Sequence, residues 1–364
     1  MCLRFFKKGV AKTDVKQRYH QYCQQLKTLS RVGTDMKKLI LEMLVAPLVL
    51  AAPLAAYSAD ASTSSMPKVT PGGFLDIVYT LSDGTDKNLD ANGDSTIDKK
   101  FATSGEVDLQ TDLNASSMLR FDFDLSTSNA AFEQAFINHS LNKDMNLKAG
   151  IFNNILGFEK EDAPNMYQTS HSQLWDIWDR QTSLNGNNLA GVEYSANVSM
   201  VTLYAGLLND LNNTNEKVSF QLAAQIQPMK SMDIVAGMVS ADNGTATDAK
   251  AGTIFDASIS WKHQQLLLGG EILSADEIYN LGMQVTANYA FTDFFSGTAR
   301  VDYVDYEGNY DSTTSLTIAA LFTVDKNLYA NAEIRSMQNG NELTNPYANV
   351  GDGAVVQLEL IGTF

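Results

Sequence analysis

Between Asn153 and Gly186 the chain gathers Glu159, Glu161, Asp162, Asp176, Asp179 and Arg180 in one largely polar segment. Elsewhere charged residues recur two apart: Arg120, Asp122 and Asp124; Arg300 and Asp302; Glu333 and Arg335. That spacing puts side chains on one face of a β-strand. Glu193, Asp256, Glu271 and Glu359 stand singly on strand faces of the same kind. Ionised groups are costly in a dry core and cheap against water, so these faces point to an aqueous interior that handles ions rather than to bond-making chemistry. Carboxylates outnumber guanidinium groups eight to three on them, which implies a mild preference for cations. Arg300 and Arg335 are expected to pair with Asp302 and Glu333, setting a transverse field.

Other chemistries fit less well. Asp90–Asp98, "DANGDSTID", imitates a calcium loop, but Ser95 stands where the sharp turn needs Gly and Phe101 where the bidentate acid belongs. His139, His171 and His263 have no metal-binding spacing. Ser170 beside His171 suggests a hydrolytic pair, yet adjacent residues do not face each other. No catalytic residue, metal ligand or cofactor is therefore expected.

The elements that carry these residues alternate with period two. Val218, Phe220, Leu222, Ala224 and Ile226 interleave with Ser219, Gln221, Ala223, Gln225 and Gln227. Leu316, Ile318, Ala320, Phe322 and Val324 do the same against Thr317, Ala319, Leu321 and Thr323. Such runs last about ten residues, the length of a tilted strand through a bilayer. About 16 of them follow one another, from 73–82 and 103–112 to 353–364. Connections after even-numbered strands are short, and those after odd-numbered strands are mostly longer and polar. This asymmetry belongs to an all-β, transmembrane antiparallel β-barrel, and an even count leaves both termini on the short-turn, periplasmic side. Backbone groups in lipid must all be paired, so the last strand should close on the first and turn its apolar face to acyl chains. Phe364 would then sit in an aromatic girdle at the interface.

Charge is unevenly placed. The whole chain is formally −16, and residues 1–61 hold 10 of 26 Lys and Arg against 4 of 42 Asp and Glu, leaving 16 basic and 38 acidic side chains in the remainder. A body this acidic excludes nucleic acid as a partner. Both cysteines, Cys2 and Cys23, lie in the first segment. Lys37 and Lys38, an apolar run from Leu39 and the "ADA" at Ala59–Ala61 form the pattern of a signal peptide at 36–61. Residues 1–35 are read as an upstream extension, and 62–364 as a single barrel.

At 147–170 the chain reads "LKAGIFNNILGFEKEDAPNMYQTS". Gly150, Phe152, Gly157, Glu159, Ala163, Pro164, Tyr167 and Ser170 occupy the places of a pattern that resembles the β-barrel porin-2 family, also described as OmpL-like. The resemblance implies an outer-membrane channel for passive diffusion of ions and small hydrophilic solutes. A plugged barrel serving as adhesin or structural protein is the alternative. The terminal Phe364 resembles the signal that barrel-assembly machinery reads in outer-membrane barrels, and general porins imply a homo-oligomer as a further partner state. In the general porins that this layout resembles, the loop after the fifth strand folds inward and narrows the pore. Here two placements of 153–186 stay open: inward, with carboxylates facing the channel and Trp175 and Trp178 packing on the wall, or outward as a solvated cap.

Overall fold

A computed structural model describes residues 67–83, 98–126, 130–182, 184, 186–211, 217–240, 252–276, 278–307, 311–338 and 353–364. The expected leader lies outside these residues, as does the calcium-like loop apart from Asp98. The strands are β1 Val69–Asp83, β2 Asp98–Asn114, β3 Ser117–Ser126, β4 Ala130–Asn142 and β5 Met145–Asn153, then β6 Asn188–Val198, β7 Val201–Asn209, β8 Val218–Met229, β9 Met232–Ser240 and β10 Thr253–His263. They continue as β11 Leu266–Ala275, β12 Tyr279–Thr292, β13 Phe295–Tyr306, β14 Thr313–Asp325, β15 Leu328–Gln338 and β16 Gly353–Thr363. Each pairs antiparallel with its sequence neighbours, and β1 closes on β16 from Phe74↔Thr363 to Asp83↔Ala354. No edge is left, so every strand finds ladder partners on both sides, as hydrocarbon requires. Among the described residues no helix is long and apolar enough to cross a membrane.

Alternation sorts the two faces. Val285, Ile318 and Leu358 point outward and are 63%, 53% and 51% exposed, while their neighbours Gln284, Thr317 and Glu359 point inward and are buried. Two-residue turns join β2–β3, β4–β5, β6–β7 and the later even–odd pairs. In two of these turns a residue, Ser199 or Gln264, takes a positive φ, as primed hairpin turns do.

β2 begins earlier than alternation indicated, at Asp98 rather than 103. Lys99, Lys100 and Phe101 pair with Leu81, Thr80 and Tyr79. Backbone ladder and the Tyr79–Phe101 ring contact, 4.8 Å between centroids, hold this extension. No buried face is involved, so it leaves no periodic signal.

β4 carries a bulge. Asp122 pairs with Gln134 but Phe123 with Phe132, which leaves Glu133 unmatched. Glu133 and Gln134 consequently both face inward, as successive residues at a bulge do.

If the outward face meets acyl chains, Val285→Arg should lower unfolding stability in phospholipid vesicles by about 2–4 kcal/mol. Denaturant titration of the refolded barrel measures this, and an unchanged midpoint would mean the face is not in hydrocarbon.

Candidate functional site: the inward loop and the charged lumen

The segment between β5 and β6 lies inside the barrel. Its first residues are tied to the wall by Asn154, whose Oδ1 accepts from Gln221 Nε2 at 2.7 Å. The segment's return is held by Asn187, which donates to the Leu156 carbonyl at 2.9 Å. Between them run a single 3₁₀ turn, Ala163–Asn165, and one helix, α1, Gln173–Thr182. Ser172 caps α1, its Oγ accepting from the Trp175 amide at 3.1 Å.

The helix presents Leu174, Ile177 and Trp178 to the wall, at i, i+3 and i+4. They join Phe152, Leu156, Leu189, Val239, Ile254, Leu273, Tyr279 and Tyr306 in one buried apolar cluster at the long-loop end. The sequence expectation paired Trp175 with Trp178 on this face. In the structure Trp175 is rotated out of it and stacks on His171, with centroids 3.6 Å apart. Asp176, Asp179 and Arg180 occupy the opposite, half-buried face.

Wall carboxylates receive the loop's main chain. Asp256 accepts from the Gly157 amide at 3.2 Å and Glu271 from Phe158 at 3.0 Å. Glu333 takes two amides, Thr169 at 2.7 Å and Ser170 at 3.1 Å. Glu359 accepts the Thr169 hydroxyl at 2.9 Å. Gly269 leaves the space that the Phe158 ring fills; a methyl group there would overlap it.

Arginines take the carbonyls. Fully buried Arg300 donates to Ser170 O at 2.7 Å, His171 O at 3.0 Å and Thr317 Oγ1 at 3.2 Å. Its Nε stands 2.7 Å from Asp302 Oδ1, and Nη1 lies 3.4 Å from Glu159 Oε2. Arg335 donates to His171 O at 3.0 Å and lies 3.6 Å from Asp302 Oδ2. The expected Arg335–Glu333 pair is therefore not formed: Glu333 is engaged by backbone amides, and both arginines converge on Asp302, which Ser315 also contacts.

Glu159 completes this clasp. It accepts from the Ser172 amide at 3.0 Å and lies 2.7 Å from His171 Nδ1. Burial works to raise its pKa, but the charges of Arg300 and His171 and these hydrogen bonds outweigh it and hold the carboxyl below the usual range. Glu161 behaves oppositely. Burial first, then the charges of Glu133, Asp162 and Asp179, push it up to about 10. Its carboxyl lies against Gly186, whose φ of +71° and missing Cβ both permit the approach. Burial also raises Asp162 and Asp179, although the Gly186 amide donates to Asp179 at 2.9 Å.

On the β2–β6 wall, Arg120 donates to both oxygens of Asp122 at 2.8 Å and reaches Asp108 at 3.8 Å. Asp124 is half-buried beside them, opposite Glu106. Glu193 pairs with Lys148 at 3.0 Å, and that ammonium sits over the Phe136 and Phe152 rings. Sequence reasoning missed Lys148, Asp76, Glu106, Asp108 and Glu133 among the inward charges. Parity would have found Glu106 and Asp108, which face Asp124 and Asp122 directly. Glu133 gives no such signal, because the bulge changes its side. Phe364 lies outside the site, 66% exposed, with its amide donating to Gly73 O at 3.1 Å.

Arg300→Ala strands two buried carboxylates and three loop contacts, so about 3–5 kcal/mol of stability should be lost, read by denaturant unfolding. For Glu161 the sign is the reverse of a salt-bridged acid: its folded pKa of about 10 exceeds the unfolded 4.5. The folded state therefore loses stability as pH rises from 4.5 towards 10. Glu161→Gln should flatten that decline in unfolding curves recorded in chelator-containing buffer between these limits.

The chain matches the family described as "Putative beta-barrel porin-2, OmpL-like" over residues 80–361. No curated protein matches it. Among solved structures, a triple mutant of Rh. blastica porin aligns at TM-score 0.58 and 13% identity, covering 82% of this chain and 100% of that one. OprB of Pseudomonas putida aligns at TM-score 0.59 and 12% identity over 82% of this chain and 94% of its own. OmpT of Vibrio cholerae gives 0.54 and 13% over 83% and 99%. At such identities the likeness is one of fold. The family match, covering most of the barrel, carries the assignment: the chain belongs to the OmpL-like β-barrel porin-2 family of outer-membrane porins.

Proposed function

We propose that the barrel conducts ions and small hydrophilic solutes by passive diffusion, with a mild preference for cations, through a lumen narrowed by the loop at 153–186. The observation that carries this reading is the loop itself, held inside the barrel by Arg300, Arg335, Glu333 and Glu159. Selectivity is assigned differently from the sequence expectation. Glu159, Glu271, Glu333 and Asp256 are occupied in anchoring, and burial, then the neighbouring carboxylates, push Glu161 up to about 10. Half-exposed groups that can meet permeating ions include Asp108 and Arg120, 32% and 31% accessible, Lys148 at 28%, and Asp124, Asp176, Asp179 and Arg180. Asp233, held by Gln225 at 2.8 Å, faces the same side.

The density of loop-to-wall bonds and the apolar cluster at one mouth are also compatible with a second reading, a plugged barrel with an adhesive or structural role. Steady current separates the two. Catalysis is not proposed, since Ser170 Oγ receives Arg300 at 3.3 Å and His171 Nδ1 faces Glu159.

Further partners belong to the same proposal. Acyl chains cover the outward face, and the assembly machinery recognises the terminal strand through Phe364. The leader at 36–61 directs export. Vibrio cholerae OmpT is described in a trimer form. An outward groove of small residues here, Ala287, Gly297, Ala299, Ala320 and Ala332, supports a homo-oligomer packed against β12–β15.

In planar bilayers under a KCl gradient, single channels should show steady current and a cation-side reversal potential. Asp108→Asn with Asp233→Asn should move the cation-to-anion permeability ratio towards anions, on the order of twofold. Glu161→Gln should leave it unchanged at pH 7. An absence of steady current from correctly folded barrel would replace this reading with the plugged one.

A further inference from the structure

Three carboxylates from three different elements meet where the loop touches the wall on the β2–β4 side. Glu106 comes from β2, Glu133 from the bulge of β4 and Asp162 from the loop just before its 3₁₀ turn. One oxygen from each lies within 4.8 Å of the others. Glu106 and Glu133 are 3% and 4% exposed.

Like charges this close repel unless something intervenes. Among the described residues no Lys, Arg or His forms an ion pair with any of the three. Arg120, on the neighbouring strand, is taken by Asp122 at 2.8 Å and Asp108 at 3.8 Å. Asn165 Nδ2 offers Asp162 only a long contact of 3.4 Å. Glu133 Oε1 is buried and has no hydrogen-bond partner. A buried, unpartnered carboxylate oxygen is expensive, and this one is held there by a bulge that interrupts the β3–β4 ladder to bring it inward.

We infer that Glu106, Glu133 and Asp162 form a calcium site that fastens the inward loop to the barrel wall. The donor set is all oxygen and anionic, which suits a hard divalent cation and not zinc or copper. Ca²⁺ binds oxygens at about 2.3–2.6 Å, so opposite ligands stand about 5 Å apart, and the observed spacing falls within that span. Monodentate or bidentate carboxylates supply part of the shell, and lumen water completes it. The metal neutralises the group that Arg120 does not. It ties Asp162 to β2 and β4, across the β1–β16 seam from the Arg300 clasp. The site stands whether or not the barrel conducts.

The test uses the full barrel folded in detergent free of lipopolysaccharide and stripped with EDTA. Calorimetric titration with CaCl₂ should show one specific ion per chain, and Ca²⁺ should raise the unfolding temperature more than Mg²⁺ does. Glu133→Gln should weaken binding on the order of tenfold or more and abolish the Ca²⁺-dependent shift. In EDTA the same variant should be at least as stable as the wild type, because a repelling charge is gone. Should Glu133→Gln fail to fold, Asp162→Asn, on the loop and outside the strand ladder, gives the same readout. Wild-type barrel that takes up no Ca²⁺, or variants that bind it as tightly as the wild type, would overturn the site.

Discussion

Hydrocarbon offers no partner to an amide, and that constraint shapes the whole molecule. It forces β1 onto β16, since a sheet with two free edges would leave rows of unpaired N–H and C=O groups in lipid. Closure creates an interior, and the pleat then divides every strand between two solvents. Residues such as Val285 and Leu360 face outward, while Gln284 and Glu359 face the lumen. A charged residue is costly on one face and ordinary on the other, although only 3.4 Å of chain separates neighbours.

The interior is not simply water. At one mouth α1 and its surrounding wall form a small dry core around Trp178. Deeper in, the loop is gripped by groups whose charge would be costly to bury unpaired. Arg300 shows how the cost is met: its guanidinium reaches two carboxylates, two loop carbonyls and the Ser170 and Thr317 hydroxyls. Charge–charge and charge–dipole contacts reinforce one another where water is excluded. Removing one member leaves the others stranded, so the clasp behaves as a unit rather than as separate bonds.

Strands, closure and the sidedness of Arg300, Asp302, Glu333 and Glu359 were legible because period two survives along a regular ladder. Partner choice was not. Arg335 and Glu333 share a face and a spacing that suggest a pair, yet the loop's amides at Thr169 and Ser170 compete for Glu333 and win. Nothing in local spacing shows that a segment more than 160 residues earlier will arrive there. Glu133 was hidden for another reason. One inserted residue switches the sides on which its neighbours lie, and alternation counted across it misplaces the carboxylate. Trp175 was misplaced because a spacing of three alone does not settle which stripe of α1 is buried. Leu174 and Ile177, with Trp178, outweigh it.

Much of the clasp recognises main chain. Asp256, Glu271 and Glu333 hold amides of Gly157, Phe158, Thr169 and Ser170, and two guanidiniums hold the carbonyl of His171. A mooring made of peptide groups is largely blind to the letters of the strap it secures. Residues between the fixed points can be rewritten, by drift or by design, and the strap still berths in the same place. The bore and charge of the passage can thus evolve separately from the architecture that holds it, much as a lens can be exchanged without rebuilding its mount.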